Sequence, residues 1–176
     1  MKLSKRGEYA LRSLIALGVA RETGRDLVRL GELAQSEEIP ENFLQQIFIE
    51  LRSAGLVESE RGKNGGYRLG KPAGEIIIGD VVRLIDGPLA PIRCVSQSAY
   101  AKCSCPDEAT CGLRLVMLSV RNSISGILDR FTLADIVATT VHHLRTRAPA
   151  EGRNPAHTIS GPRKPWFEEF LYGEGI

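Results

Sequence analysis

This chain lacks long apolar runs and a strong net charge. It also lacks cysteine outside one short segment. No apolar run approaches the ~20 residues that a membrane-spanning helix needs, so we expect no transmembrane segment. The N-terminus lacks the apolar core and small-residue cleavage site of a signal peptide, which predicts a cytoplasmic protein. The net charge of the 176 residues is only +2, so the chain as a whole carries no strongly basic signal for nucleic acid.

Recognisable catalytic motifs are also missing. The sequence has no serine–histidine–aspartate set and no pair of carboxylates in a known motif, and its GKNGG stretch lacks the pattern of a phosphate-binding loop. We therefore predict that the protein is not an enzyme. A metalloenzyme or an electron carrier is the weaker alternative from another functional class.

The cysteines that are present lie close together in the chain. Inert thiols of a core should scatter along the sequence, so clustering predicts one local site that uses sulfur. Because disulfides in the cytoplasm are usually transient, we expect thiolates in use rather than structural bridges. The clustered residues are Cys94, Cys103, Cys105 and Cys111.

The cysteine spacing favours an iron–sulfur cluster and leaves two alternatives open. Only one residue separates Cys103 from Cys105, which is tighter than the usual zinc-binding pair. Three or four sulfurs from one loop suit an iron–sulfur cluster. Cys111 directly precedes a predicted helix, whose dipole would stabilise a thiolate or an anionic cluster. A structural zinc ion and metal-free redox-active thiols are the alternatives.

Local patterns predict a mainly α protein with a small β wing, namely a winged helix-turn-helix domain plus a long dimerisation helix. Ser4 is the expected first N-cap, Pro40 the expected first residue of the third helix, and Gly55 the expected residue after its end. Helices are predicted over 4–21, 29–36, 40–54, 78–85, 112–130 and 133–144, and strands over 56–59 and 67–69.

The chain divides into four predicted segments. Residues 1–87 form the winged helix-turn-helix domain, and 88–111 form a cysteine-rich sensor loop. Residues 112–145 form the dimerisation helix and the last helix. Residues 146–176 are predicted to be a flexible tail because they are rich in proline and glycine and lack periodicity.

The helix predicted over 112–130 carries an apolar stripe. A helix that projects from a small domain needs a partner to cover such a stripe, and the simplest partner is the same helix of a second copy. The sequence therefore predicts a homodimer. The stripe comprises Leu113, Val116, Met117, Val120, Ile124, Ile127 and Leu128.

Double-stranded DNA is the partner that the winged helix-turn-helix pattern predicts. Its third helix would enter the major groove, and its wing would contact phosphates or the minor groove. A winged helix can instead bind protein, and the modest charge leaves that alternative open. The candidate base-reading residues are Glu41, Asn42, Gln45 and Gln46, and the candidate phosphate-binding residues are Lys5, Arg52, Arg61 and Lys63.

Three sequence blocks and the cysteine loop together resemble a known family. The blocks are MKLSKRGEYALRSL, LGELAQSEEIPENFLQQIFIELRSAGLVESERGKNGGYRLG and IGDVVRLIDGP. Over residues 1–145 the chain resembles the Rrf-two family of bacterial transcription regulators, which includes the iron–sulfur cluster regulator and the nitric-oxide-sensing repressor. The RGKNGGYRL wing is the most specific part of the match.

The resemblance implies a homodimer that binds a palindromic operator, with long helices crossing at the dimer interface. It also implies that three cysteines of the loop hold a 2Fe–2S or 4Fe–4S cluster. A fourth ligand would come from elsewhere, and Glu8 falls where some members place an acidic ligand from the partner. Cys103 is additional to the family pattern, so it could complete an all-cysteine site or act as a resolving thiol. We interpret the chain as a repressor that senses redox state, nitric oxide or iron–sulfur status.

Overall fold

Helix α1 begins the described part of the chain. The computed structural model describes residues 3–62 and 64–146, and α1 spans Lys5–Glu22. Ser4 caps this helix as predicted, because its Oγ accepts a hydrogen bond from the backbone N–H of Gly7 at 3.0 Å. The cap satisfies one of the amide groups that a helix leaves without a partner in its first turn.

Helices α2 and α3 form the predicted helix-turn-helix. Helix α2 spans Leu30–Glu37 and α3 spans Glu41–Ser53, with Glu38 in the left-handed conformation (φ 54°) between them. Pro40 is the N-cap of α3 rather than its first helical residue, so the predicted start was one residue early. Gly55 has a φ of 69° and follows the C-cap of α3, as predicted for a glycine that ends a helix.

The wing is a two-stranded antiparallel hairpin. Strand β1 spans Val57–Glu60 and β2 spans Gly66–Leu69. Val28 extends this sheet through an isolated bridge: its N–H donates to the carbonyl of Tyr67 at 3.0 Å, and the N–H of Tyr67 donates back at 2.8 Å. The bridge fixes the hairpin against the segment that leads into α2, so the wing is attached to the helix-turn-helix at both ends.

Three further helices follow the wing. Helix α4 spans Ile78–Asp86, α5 spans Gly112–Leu128 and α6 spans Leu133–Thr146. Each begins where the sequence predicted it. Helix α6 includes Thr146, so the last helix is longer than predicted, and the rest of the expected tail lies outside the described residues.

The start of α6 is fixed by a reciprocal cap. The backbone N–H of Thr132 donates to the Asp135 carboxylate at 2.8 Å, and the N–H of Asp135 donates to Thr132 Oγ1 at 3.3 Å. Leu133 also donates its N–H to the carbonyl of Ile76 at 2.8 Å, which joins α6 to the segment before α4. Thr132 and Asp135 therefore cap the start of α6.

The core forms around α1, which packs against α3, α4 and α6. Gly18 allows the closest approach, because a Cβ at this position would lie 2.5 Å from Cγ2 of Val137 on α6. Helix α5, by contrast, contributes no fully buried residue. Among the described residues, no helix is both long enough and apolar enough to cross a membrane.

Candidate metal and DNA-binding sites

The four cysteines lie on or beside local structure that fixes two of them. Cys94 is buried within a single 3-10 turn, Arg93–Val95. Cys111 is the N-cap residue of α5, where the sequence placed it. Cys103 and Cys105 lie in the irregular segment between these anchors and are partly exposed. The loop thus begins at a buried turn and ends at a helix N-terminus.

The thiols form a row rather than a single cage. Cys105 and Cys111 face each other with their Sγ atoms 3.7 Å apart. The Sγ atoms of Cys94 and Cys103 lie within 4.8 Å of each other, and the thiol of Cys103 also interacts with that of Cys105. The four thiols therefore lie next to one another along the described chain, and their use as one metal site stays a prediction.

The pKa values of three thiols in the row are shifted in different directions. A hydrogen bond from Cys105 lowers the pKa of the Cys103 thiol. The same contact, together with that to Cys111, raises the pKa of Cys105 to about 12. Burial is the main reason that the pKa of Cys94 is raised. In the metal-free chain, Cys103 is therefore the first of these three thiols to ionise.

Glu108 joins this site, although the sequence analysis did not identify it. Its carboxylate lies within 4.8 Å of the Sγ atoms of both Cys94 and Cys103. The hydroxyl of Tyr100 donates to Oε2 of Glu108 at 2.7 Å, and this bond raises the pKa of the tyrosine. The Nε of Arg114, on α5, forms an ion pair with Oε1 at 3.2 Å without meeting the geometry of a hydrogen bond.

Oε1 of Glu108 is buried and accepts no hydrogen bond among the described residues. This oxygen has the Arg114 guanidinium as an ion-pair neighbour and keeps lone pairs for a further partner. The only available sequence signal was that Glu108 lies between two of the clustered cysteines. Glu108 was missed because periodicity and motif spacing do not predict where a side chain lies in an irregular loop.

The donor set fits a thiolate-bound metal centre. Two thiolates on one tetrahedral metal, with metal–sulfur bonds of about 2.3 Å, lie about 3.8 Å apart. The 3.7 Å separation of the Cys105 and Cys111 sulfurs matches this value. Cys94 and Cys103 form a second pair at the other end of the row. Thiolates are the usual ligands of iron–sulfur clusters, and the dipole of α5 favours negative charge at Cys111.

Glu8 lies on α1 and is engaged by neighbouring cations. Its carboxylate accepts a hydrogen bond from Lys5 Nζ at 2.8 Å and lies 3.6 Å from Arg12, and the lysine contact is the main reason that its pKa is lowered. Within the described chain it joins no cysteine group. A ligand donated to a second copy involves two chains, so the assignment of Glu8 stays a prediction.

The predicted base-reading residues all lie on the exposed surface of α3. This surface begins at the first turn of the helix and continues to its end, where Arg52 Nη1 lies 3.4 Å from the hydroxyl of Ser59 on β1. The opposite side of α3 packs into the core. The exposed predicted residues are Glu41, Asn42, Gln45, Gln46 and Arg52.

Ile49 lies in the middle of this polar surface and is 55% exposed. Ile49 was not among the DNA-binding residues predicted from the sequence. The available signal was its position: it lies outside the apolar stripe that the buried residues of α3 form at helical spacing. Phe43 on the same helix is also more than a third exposed, and it contacts Tyr9 edge-to-face with ring centroids 5.8 Å apart.

The predicted phosphate contacts have different local surroundings. Arg61 is exposed next to the wing turn, and it makes no ion pair within residues 3–62 and 64–146. Lys63 lies outside the described residues. Lys5 is exposed at the start of α1 but is paired with Glu8. Arg61 is thus a predicted wing cation whose charge is open to an external anion.

Comparison with known proteins shows that the chain matches a protein family and is similar to named relatives. The Rrf2 family, described as iron-dependent transcriptional regulators, matches residues 3–139 of this chain. An rrf2-like HTH-type transcriptional regulator of Rhodobacter capsulatus is 40% identical over 138 residues, which cover 77% of this chain and 92% of the relative.

Two solved structures share the fold. CymR, described as the global cysteine regulator of B. subtilis, has a TM-score of 0.65 and 31% identity, covering 79% of this chain and 98% of CymR. IscR of T. potens also has a TM-score of 0.65, with 27% identity, covering 85% of this chain and 94% of IscR. The predicted fold class, mainly α with a small β wing, is thereby confirmed.

Proposed function

Because this chain belongs to the Rrf2 family of transcriptional regulators, we propose that it is a homodimeric repressor controlled by an iron–sulfur cluster. The observation that carries the proposal is the row of four thiols at the N-terminus of α5. The cluster would be held by those thiols and would supply a group that reacts with oxidants and nitric oxide. In a 2Fe–2S cluster, Cys94 with Cys103 would hold one iron and Cys105 with Cys111 would hold the other.

Helix α5 is the element that would carry the state of the cluster to the rest of the dimer. Cys111 occupies its N-cap position, and Arg114 on the first turn pairs with Glu108 of the loop. Any change in how the loop is held would therefore change the position of α5. Since α5 is also the proposed dimer contact, the spacing of the two recognition helices would change with it.

DNA recognition would use α3 and the wing. Asn and Gln side chains can pair with adenine through two hydrogen bonds, which suits Asn42, Gln45 and Gln46. Ile49 would add an apolar contact to a thymine methyl group. Arg61 at the wing would contact a phosphate or the minor groove. Because half-site spacing mirrors dimer geometry, the operator would be palindromic double-stranded DNA.

Operator titration with cluster-loaded and cluster-free protein tests this proposal. An operator is first selected from random DNA with anaerobically purified full-length chain, and iron and acid-labile sulfide are counted in the same preparation. We expect the two forms to differ in operator affinity by at least about tenfold, that is ~1.4 kcal/mol. Equal affinities would contradict control by the cluster. A cluster-loaded protein that selects no DNA sequence would contradict the proposal that the chain is a repressor.

Metal-free thiol sensing is a second candidate, favoured by the contact between Cys105 and Cys111. One equivalent of hydrogen peroxide would oxidise two thiols to a disulfide and would itself be reduced to two water molecules, which take up the two thiol hydrogens. The lowered pKa of Cys103 provides a nucleophilic thiolate beside this pair. A colourless, iron-free protein that loses two mass units on peroxide treatment and then changes its operator affinity would support this candidate over the cluster.

A further inference from the structure

The half of the cysteine site formed by Cys94 and Cys103 contains an oxygen donor as well as two sulfurs. We propose that Glu108 is a reserve ligand of the metal centre, which holds the iron beside Cys94 when Cys103 does not bind it. The inference rests on the proposed cluster and concerns how its second iron is held.

Geometry places Glu108 within reach of that iron. The ligand atoms of Cys94, Cys103 and Glu108 are all within 4.8 Å of one another, so a single tetrahedral ion can be bound by any two of them. A fully thiolate-bound iron needs only the two sulfurs at this end of the row. At this end of the row, the protein thus offers three donor groups for two coordination positions on the iron. The Glu108 carboxylate is therefore a substitute ligand rather than an obligatory one.

The carboxylate is also oriented as a ligand would be. One oxygen, Oε2, is fixed by the hydroxyl of Tyr100 at 2.7 Å. The other, Oε1, is buried and accepts no hydrogen bond within the described chain; its neighbour is the Arg114 guanidinium at 3.2 Å, so its lone pairs are not taken up by a donor. Metal-bound carboxylates commonly have this outer hydrogen bond, which sets the orientation of the group. Tyr100 is thus a positioning residue for Glu108.

Charge compensation comes from Arg114. A carboxylate beside several thiolates would be repelled by their negative charge. The guanidinium of Arg114 lies 3.2 Å from Oε1 of Glu108 and reduces this repulsion. The two groups are partly buried, with 31% and 20% of the side chains of Arg114 and Glu108 exposed, so the compensation is less screened than on an open surface.

The other half of the site has no such reserve. Cys105 and Cys111 form no comparable three-residue group with a histidine or carboxylate among the described residues. This asymmetry makes the inference testable. Loss of a thiol from the Cys94–Cys103 half should be tolerated through Glu108, whereas loss of Cys105 should not.

Anaerobic reconstitution with ferrous iron and sulfide tests the inference on the full chain. The variants are Cys103→Ala, Glu108→Gln, the double variant, and Cys105→Ala as the matched control. Readouts are iron and sulfide per chain, the visible absorption spectrum, and the rate at which a chelator removes iron. Asp107→Asn, a neighbouring loop carboxylate, controls for general perturbation of the loop, and circular dichroism confirms folding of each variant.

We expect Glu108→Gln alone to retain the wild-type iron content, because four thiols remain. Cys103→Ala should also retain iron, with absorption bands shifted to shorter wavelength because an oxygen donor replaces sulfur. The double variant should lose iron to the chelator at least about tenfold faster than Cys103→Ala does. Cys105→Ala should lose iron whether or not Glu108 is present.

Two results would overturn the inference. In the first, Cys103→Ala releases iron as fast as the double variant while wild-type protein stays loaded, which would leave the proposed cluster standing. In the second, wild-type protein takes up no iron, which would remove the cluster and the inference together. Cys94→Ala gives an independent arm, because Glu108 should substitute for that thiol as well.

Discussion

At the scale of single residues, the exposed isoleucine of α3 has the clearest functional consequence. We expect Ile49→Ala to weaken operator binding by about 1 kcal/mol, roughly fivefold, because a buried methyl-to-methyl contact with thymine would be lost. Folding should be little affected, since Ile49 is 55% exposed. The measurement is a titration of both proteins on the selected operator.

Deoxyuridine provides the control for this prediction, because it lacks only the thymine methyl group. On an operator carrying deoxyuridine at the contacted position, wild type and Ile49→Ala should bind equally, as in a double-mutant cycle. If the affinity difference persisted at every deoxyuridine-substituted position, Ile49 would have no thymine contact. Glu75→Ala, an exposed change away from α3, should behave as wild type.

Single residues also show where sequence-based prediction ends. The polar residues of α3 were predicted correctly as exposed because helical spacing separates them from Leu44, Ile47 and Leu51 in the core. Glu108 could not be predicted in this way. It reaches Cys94 and Cys103 through an irregular loop, whose path depends on packing and individual hydrogen bonds rather than on a repeating pattern.

At the scale of elements, the end of α5 is tied to α4 by one ion pair. Arg83 Nη2 lies 2.7 Å from Asp129 Oδ2, and this contact is the main reason that the pKa of Asp129 is lowered below 3.8. A carboxyl group with a lowered pKa in the folded state stabilises the protein above its unfolded pKa. This stabilisation is lost as the pH falls below about 3.8 and passes through the lowered pKa of Asp129 in the folded state.

We expect Asp129→Asn to lower the free energy of unfolding at pH 7 by at most about 1 kcal/mol, since the pair is partly exposed. The difference from wild type should shrink as the pH is lowered below about 3.8, in urea titrations at a series of pH values. Asp80→Asn is the matched control, because Asp80 contacts the same Arg83 from within α4 and links no second helix. A difference independent of pH would contradict the assignment to this carboxylate.

Helix boundaries were predicted to within two residues because their signals are local. Ser4, Thr132 and Gly55 each act through hydrogen bonds or a backbone conformation that involves only neighbouring residues. The contact of Val28 with the wing had no such signal. It joins segments that are distant in sequence, and a single bridging residue has no period that could reveal it.

At the scale of the whole molecule, the fold and the family were both predicted correctly. The match to the Rrf2 family confirms the resemblance, and the relatives are transcriptional regulators, which confirms that the chain is not an enzyme. The arrangement of two copies could not be predicted from sequence beyond the stripe on α5.

The apolar stripe of α5 is the surface on which the proposed homodimer depends. Leu113, Val116 and Ile127 are each more than half exposed in the single chain, and Val120 lies between them at heptad spacing from Leu113 and Ile127. Exposed aliphatic side chains at this regular spacing are stabilised when a second helix covers them. A charge placed in the middle of the stripe would therefore be buried without a partner in the dimer.

We expect Val120→Glu to convert the dimer into a monomer of half the mass, measured by light scattering after size-exclusion chromatography. Operator affinity should fall about a hundredfold or more, because the two half-sites would no longer be bound by linked domains. Asn122→Glu is the matched control, since two residues rotate the side chain by about 200° to the opposite face of α5. It should leave both mass and affinity unchanged. A dimeric Val120→Glu protein would show that the two copies meet elsewhere, and the route from the cysteine loop to the recognition helices would then not run through this stripe.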